Sequence, residues 1–244
     1  MGGHRSLPYH DRLRSTRLLR WLVDSRFAWV RRTVAAEPTA PRSFVEVGCF
    51  DGETLAWLPQ APETYLGVDA NWEGGLDRAR SRWQGRPGVE FIDCKDPKDL
   101  DRSRRFDAGI CLETLEHLPD PLAAAYLDYF AEVLHGPLLV TVPVEIGPML
   151  AAKHVVRRLG GWEPRTYARG ELLAGFLGRS SKVRRHEHKG FDYRALLAAL
   201  EARFVVTRVK GLPMRWLPRW ANYSVAIVAR PRRPGAVAAP SRRP

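Results

Sequence analysis

The sequence predicts an α/β fold built on a doubly wound, mostly parallel sheet, and three observations predict it. Short apolar, β-favouring runs alternate with helical segments from residue 43 to about residue 229. The first run, Phe44-Val45-Glu46-Val47, passes through Gly48-Cys49-Phe50-Asp51-Gly52 into a helical stretch, the strand, glycine turn and helix of a nucleotide-cofactor site. Acids stand near the strand ends at Glu46, Asp69 and Asp93, and in such a sheet ligands lie outside the carboxyl ends of the strands.

At 244 residues the chain suits one domain with additions, and 45% hydrophobic with 10% aromatic residues supports a sizeable core. Cys49, Cys94 and Cys111 share no Cys-x-x-Cys spacing, so neither a disulfide framework nor a metal site is expected. Each falls near the end of a predicted strand, where a small residue packs well. Charged residues interrupt the first thirty positions and no apolar run reaches transmembrane length. The expected location is cytoplasmic, with peripheral membrane contact as the one variant. The net charge of +12 is unevenly spread. Residues 1–42 carry nine arginines against three acids, residues 43–143 carry nine bases against eighteen acids, and the remainder is basic again. The cofactor half is acidic and its appendages are basic, so an anionic partner should meet the appendages.

Residues 10–36 read as an amphipathic helix, with Leu19, Leu22, Val23, Phe27, Val30 and Val34 near helical spacing and arginines between them. Such a helix packs on the core with its basic face to solvent, or, given Trp21, Phe27 and Trp29, lies on a membrane surface. Residues 1–42 are therefore read as an N-terminal helix and linker, and 43–229 as the main domain. Strands are expected at 43–47, 65–68, 89–92, 108–112 and 137–142. Helices are expected at 52–57, around Leu76, and at 120–134, where Pro121 sits in the first turn without losing a needed N–H. Units of this length imply parallel strands with helices on both faces. The rhythm breaks at 143–190, a basic, Gly- and Pro-punctuated insertion with two short amphipathic helices. Met149, Ala152, Val156 and Leu159 line one side of the first, with Lys153, Arg157 and Arg158 around the other. A helix at 193–202 precedes strands at 204–209 and 223–229, whose short connection, carrying Trp216 and Trp220, suits antiparallel neighbours. The Pro/Arg/Ala-rich tail, 230–244, is expected to be disordered.

Charge separates the glycine turn from a dinucleotide fingerprint. Glu46, Asp51 and Glu53 would repel a pyrophosphate and suit a cofactor with a cationic end, such as S-adenosylmethionine with its ammonium and sulfonium. Asp69, about twenty residues after the turn, is placed to accept both ribose hydroxyls. Asp93 reads either as a cofactor contact or as a helix N-cap.

These stretches resemble the class I S-adenosylmethionine-dependent methyltransferases, in their small-molecule branch. Glu46-Val47-Gly48-Cys49-Phe50-Asp51-Gly52 is similar to the family's E/D-x-G-x-G-x-G cofactor loop, Gly67-Val68-Asp69 to its ribose-binding acid, and Ile92-Asp93-Cys94 to its adenine contact. The block from Phe106 to Pro121, with Leu112-Glu113-Thr114-Leu115-Glu116-His117 at its centre, resembles the fourth-strand block and is the most specific match. His188-Lys189-Gly190-Phe191 resembles the segment that opens the last large helix. The resemblance covers about 43–229 and implies a Rossmann-like sheet of seven strands, the last inserted antiparallel beside the fifth. It also implies S-adenosyl-L-methionine as cofactor, held by Glu46, Gly48, Cys49, Phe50, Gly52, Asp69, Ala70, Asp93, Cys94 and Leu112. Two departures stand out. Phe50 replaces the middle glycine of the loop and is expected to face the helix side. The fourth strand lacks the Asn/Asp-Pro-Pro-Tyr/Phe signature of nucleic-acid amino methylation, so no DNA partner is expected.

Methyl transfer is an in-line displacement for which the protein supplies approach geometry and, for a hydroxyl acceptor, a base. His117, just past the fourth strand, is either that base or a histidine that orders its loop beside Glu116. His154 and His188 are further candidates for the acceptor pocket. The 143–190 insertion is expected to cover the strand ends as a lid that selects the acceptor, its charge favouring an anionic one. The expected activity is therefore O-methylation of a small-molecule, glycan or lipid-linked acceptor. RNA methylation is a second reading, motivated by the +12 charge, against which no module interleaves aromatics with the basic stretches. A non-catalytic cofactor-binding scaffold at a membrane surface is a third. The sequence leaves the oligomeric state open.

Overall fold

The computed structural model of the chain describes residues 16–159, 167–168, 170–184 and 189–232, without the side chains of 156–159. The expected disorder of the tail from residue 233, the role of His188, and the side chains of Arg157 and Arg158 lie outside the described residues. Five parallel strands form the centre: β1 (Ser43–Val47), β2 (Thr64–Asp69), β3 (Val89–Asp93), β4 (Ala108–Leu112) and β5 (Leu138–Pro143). β6 (Phe204–Leu212) and β7 (Ser224–Pro231) complete a seven-stranded sheet of order β3-β2-β1-β4-β5-β7-β6, in which β7 runs antiparallel to both neighbours. The sheet ends later than the sequence suggested. The β6–β7 ladder runs on to pair Leu212 with Ser224, and Arg230 and Pro231 belong to β7 rather than to the tail.

Alternate residues of each strand serve opposite faces. On one face lies α1 (Arg17–Ala35), whose Val23, Phe27, Val30 and Val34 pack with Phe44, Tyr65, Ile110, Leu139 and Val228. Each such buried side chain contributes about 1.5–3 kcal/mol, so the apolar stripe of this helix is committed to the core and not to a membrane. Thr16 caps its start by accepting a hydrogen bond from the Leu19 N–H at 3.1 Å, and Glu37 just past its end pairs with Arg230 of β7 at 2.5 Å. On the other face, α4 (Asp120–Val133) and α7 (Tyr193–Glu201) set Tyr126, Phe130, Leu196 and Leu200 against Val45, Leu66, Val140 and Ile227. Cys49, Cys94 and Cys111 are free and buried.

Short α2 (Glu53–Trp57) and α3 (Gly75–Arg82) follow β1 and β2; α5 (Pro148–Leu159) and α6 (Glu171–Phe176) follow β5. The β6–β7 connection is a built loop. Buried Asn222 accepts from the Met214 N–H at 2.9 Å and donates to the Met214 and Pro218 carbonyls, each at 3.1 Å. The parallel strands carry their loops to one edge, and the antiparallel β7 brings the β6–β7 loop to that same edge, beside the end of β5.

Candidate active site

The turn after β1 is shaped by close approach as much as by backbone freedom. Gly48 sits at φ +77, and a Cβ there would lie 2.0 Å from the Thr114 hydroxyl oxygen. Its N–H and that of Cys49 both donate to the Val68 carbonyl, at 2.7 and 3.2 Å, folding the turn onto the end of β2. Gly52, left-handed at φ +68, opens α2, and its carbonyl accepts from the Trp83 indole at 3.1 Å. Phe50 is left-handed too, at φ 47, a conformation that costs a bulky residue free energy. Its ring leaves the turn toward α3, against Gly75, where a Cβ would lie only 2.4 Å from the ring. The Trp72 ring stands 6.2 Å away and the Arg78 guanidinium lies 5.0 Å from the Phe50 ring centroid. The absence of a glycine at 50 is thus matched by a glycine at 75.

Asp69, half-buried at the end of β2, accepts from the Phe50 N–H at 3.0 Å. Burial raises its carboxyl above the ordinary aspartate range, and the N–H groups of Phe50, Trp72 and Asn71 oppose the rise. Asp93 stands beside it in register on β3, exposed, and the Cys94 N–H donates to the Asp69 carbonyl at 3.0 Å. Asp93 caps no helix: Asp96 caps the turn that follows. Ala70 is exposed at the edge, and Leu112 is buried at the end of β4.

Glu46 departs from its expected place on the rim. Strand alternation puts it on the α1 face with Phe44, only 1% exposed, where it accepts from the Thr54 hydroxyl at 2.6 Å and from the Tyr65 hydroxyl. Glu53 is likewise tied, to Arg82 at 2.6 Å and to the Trp57 indole at 3.1 Å. The acids left at the edge are Asp51, Asp69 and Asp93. Burial pushes the Glu46 carboxyl from 4.5 up to about 7, despite the two hydroxyls and Arg26. Between those values the folded chain holds a proton that the unfolded chain has released, so the contribution of Glu46 to stability is full below about 4.5 and is lost as pH climbs to about 7. The loss amounts to about 3 kcal/mol. Thermal melts across this window should show the fall in the native chain and a flatter profile in Glu46→Gln; parallel profiles would show that Glu46 is not its source.

A second polar group lies under the loop after β4. Glu113 adopts φ 50, and its N–H donates to the Thr141 carbonyl of β5 at 2.8 Å. Three residues on, Glu116 is buried in the turn Leu115–His117. Burial raises both carboxyls, the proximity of Glu113 raises Glu116 further, and Arg26 from α1 pulls against the rise at each. His117 stands exposed at the end of this turn. Two acids three apart after a buried strand were visible in the sequence; that Arg26 crosses to them from the first helix was not.

Over the end of β5, Lys153 of α5 turns inward rather than joining a solvated basic face. Its Nζ lies 3.2 Å from Glu145 Oε1, donates to the Tyr223 carbonyl at 3.2 Å and sits 4.2 Å from the Tyr223 ring centroid. His154 is half-buried on the same helix, its ring 6.1 Å from that of Tyr167. α5 packs against both α6 and the turn Arg219–Ala221 of the β6–β7 loop. Among the described residues no group of three or more His, Cys, Asp or Glu is arranged to hold a metal, and no helix is long and apolar enough to cross a membrane.

Residues 44–136 match a family described as a methyltransferase domain. The matched stretch contains the glycine turn, both strand-end aspartates and the β4 loop. The whole fold is similar to magnesium protoporphyrin IX methyltransferase (ChlM) from Synechocystis PCC 6803 with bound SAH, at 19% identity over 91% of this chain and 94% of that one, TM-score 0.56. It is similar to the N-methyltransferase NodS from Bradyrhizobium japonicum WM9, at 14% identity over 93% of each chain, TM-score 0.58. It is also similar to the methyltransferase domain of bacterial CtHen1-CN, at 16% identity over 86% of this chain and 99% of that one, TM-score 0.59. No curated protein matches the chain. The methyltransferase-domain match covers residues 44–136, and the fold as a whole is shared with solved methyltransferases.

Proposed function

We propose that the chain transfers the methyl group of S-adenosyl-L-methionine to an oxygen of a small-molecule, glycan or lipid-linked acceptor. The observation that supports this most is the contact of Gly48 with Thr114, which sets the glycine turn directly against the loop that ends on exposed His117. Asp69 would accept hydrogen bonds from the ribose hydroxyls of the donor, with Asp93 and Cys94 beside it on β3, and the turn from Gly48 to Gly52, together with Leu112, would hold the methionine end. The sulfonium of the bound donor supplies the activated methyl group. What remains for the chain is to align the acceptor and take its proton.

His117 serves as that base. An imidazole suits general-base work, and the His117 N–H donates to the Thr114 carbonyl at 3.0 Å, which fixes the turn that carries it. The helices after β5 cover the acceptor side, and the surplus of basic residues between 144 and 190 favours an anionic acceptor. With labelled donor and a panel of hydroxyl and amine acceptors, label should enter the hydroxyl compounds. His117→Ala should lower kcat by about 10²-fold and remove one limb of the pH profile, with donor affinity unchanged. A full kcat would assign His117 to loop structure alone. The +12 charge favours RNA as the second acceptor class. Binding of an RNA oligonucleotide that falls steeply with ionic strength would support it.

A further inference from the structure

We propose that this chain docks on an anionic lipid bilayer through a tryptophan–arginine surface at the carboxyl edge of the sheet, formed by the β6–β7 loop and the first turns of α1. The tips of this surface are Trp216, 81% exposed, Trp220 at 51%, Leu18 at 58% and Trp21 at 49%. They are not the frayed parts of a loose segment. Asn222 fills the interior of the β6–β7 loop with hydrogen bonds, and Gly211 leaves it room, so the loop is held in a shape that turns both indoles outward. The two elements adjoin. Leu212, at the root of the loop, lies in the same buried cluster as Val23 and Phe27 of α1, whose next turns carry Trp21 and Leu18.

Charge selects the occupant. Exposed Arg215 and Arg219 flank the loop indoles, exposed Arg17 and Arg20 flank those of the helix, and no acid occurs anywhere after Glu201. Tryptophan settles at the headgroup level with its apolar face in and its N–H toward water, and arginine pairs with lipid phosphates there. Exposed indoles and leucines set among arginines suit a bilayer interface, where the rings settle at the headgroups and the guanidinium groups pair with phosphates. The surface continues onto α6, where Leu173 and Leu177 are exposed and which packs on α5 beside the Arg219–Ala221 turn. Docked this way, the chain presents its acceptor side to the membrane. The docking stands independently of the methyl-transfer reading; only its use, to meet a lipid-borne acceptor, rests on that reading.

The test is flotation of the full chain with vesicles of phosphatidylcholine containing about three-tenths phosphatidylglycerol, against phosphatidylcholine alone. The native chain should float with the anionic vesicles. Trp216→Ala/Trp220→Ala should weaken that binding about tenfold or more, and Arg215→Glu/Arg219→Glu should abolish the preference for anionic lipid. Both variants should keep the native melting temperature and S-adenosylmethionine affinity, which separates a docking defect from a folding or cofactor defect. The proposal is overturned if the native chain stays unbound, or if the tryptophan variant floats as well as the native chain. It is equally overturned if the tryptophan variant loses instead the binding of a single-stranded RNA oligonucleotide, or self-association in sedimentation, while vesicles are ignored.

Discussion

Alanine in place of Asp69 is expected to weaken S-adenosylmethionine binding about 10³-fold. The carboxylate stands at the end of β2 with Oδ2 accepting from the Phe50 N–H at 3.0 Å and Oδ1 from the Trp72 N–H at 3.4 Å, which fixes its plane while each oxygen keeps a further lone pair for a ribose. A pair of charge-assisted bonds contributes roughly 3–6 kcal/mol, and each 1.4 kcal/mol is about tenfold in affinity. Burial makes this acid costly to keep ionised, and hydrogen bonds donated by two hydroxyls would favour its charged form. Asp69→Asn keeps an acceptor for the Phe50 N–H but loses the charge, and should fall between native and alanine. Calorimetry reads all three; equal affinities for native and alanine chains would remove the ribose role from Asp69.

Gly48→Ala is expected to lower stability by about 2–5 kcal/mol and to bring donor binding below detection. Two independent penalties meet there. A left-handed conformation costs an alanine about 1–2 kcal/mol, and the new methyl would lie 2.0 Å from the Thr114 hydroxyl, an overlap relieved only by moving the β4 loop, at about 1–3 kcal/mol more. Gly85 separates the two. It has nearly the same φ, +74, with nothing within 4 Å of its added Cβ, so Gly85→Ala should show the backbone penalty alone. If both variants lose the same melting temperature and both bind the donor, the contact between turn and loop is not what shapes the site.

Much of this could be read from the residues. β4 falls where expected because it is an unbroken run without a charged residue, the pattern of a strand buried on both faces, and β1 because Phe44, Val45 and Val47 outweigh its single acid before the glycine turn. β6 was read three residues short because Lys210 and Gly211 look like a strand ending, whereas the ladder with β7 carries it on to Leu212. Glu46 was misplaced for a related reason. Its position near the end of β1 suggested the rim, but period-two alternation sends the side chain to the face where Thr54 and Tyr65, eight and nineteen residues away, close over it. Lys153 looked solvated until Glu145 and Tyr223 were brought beneath its helix. The place of Asp69 at the end of β2 was legible because it depends on nearby sequence, the turn and the strand. Arg26, Glu113 and Glu116 were not, because their relation exists only once α1 lies across the sheet.

The most direct test is a calorimetric titration of the native full-length chain with S-adenosylmethionine and, separately, with a nicotinamide dinucleotide. An edge carrying Asp51, Asp69 and Asp93 should take up the cationic donor saturably and give no heat of binding with the pyrophosphate. Uptake of the dinucleotide with indifference to S-adenosylmethionine would contradict the account.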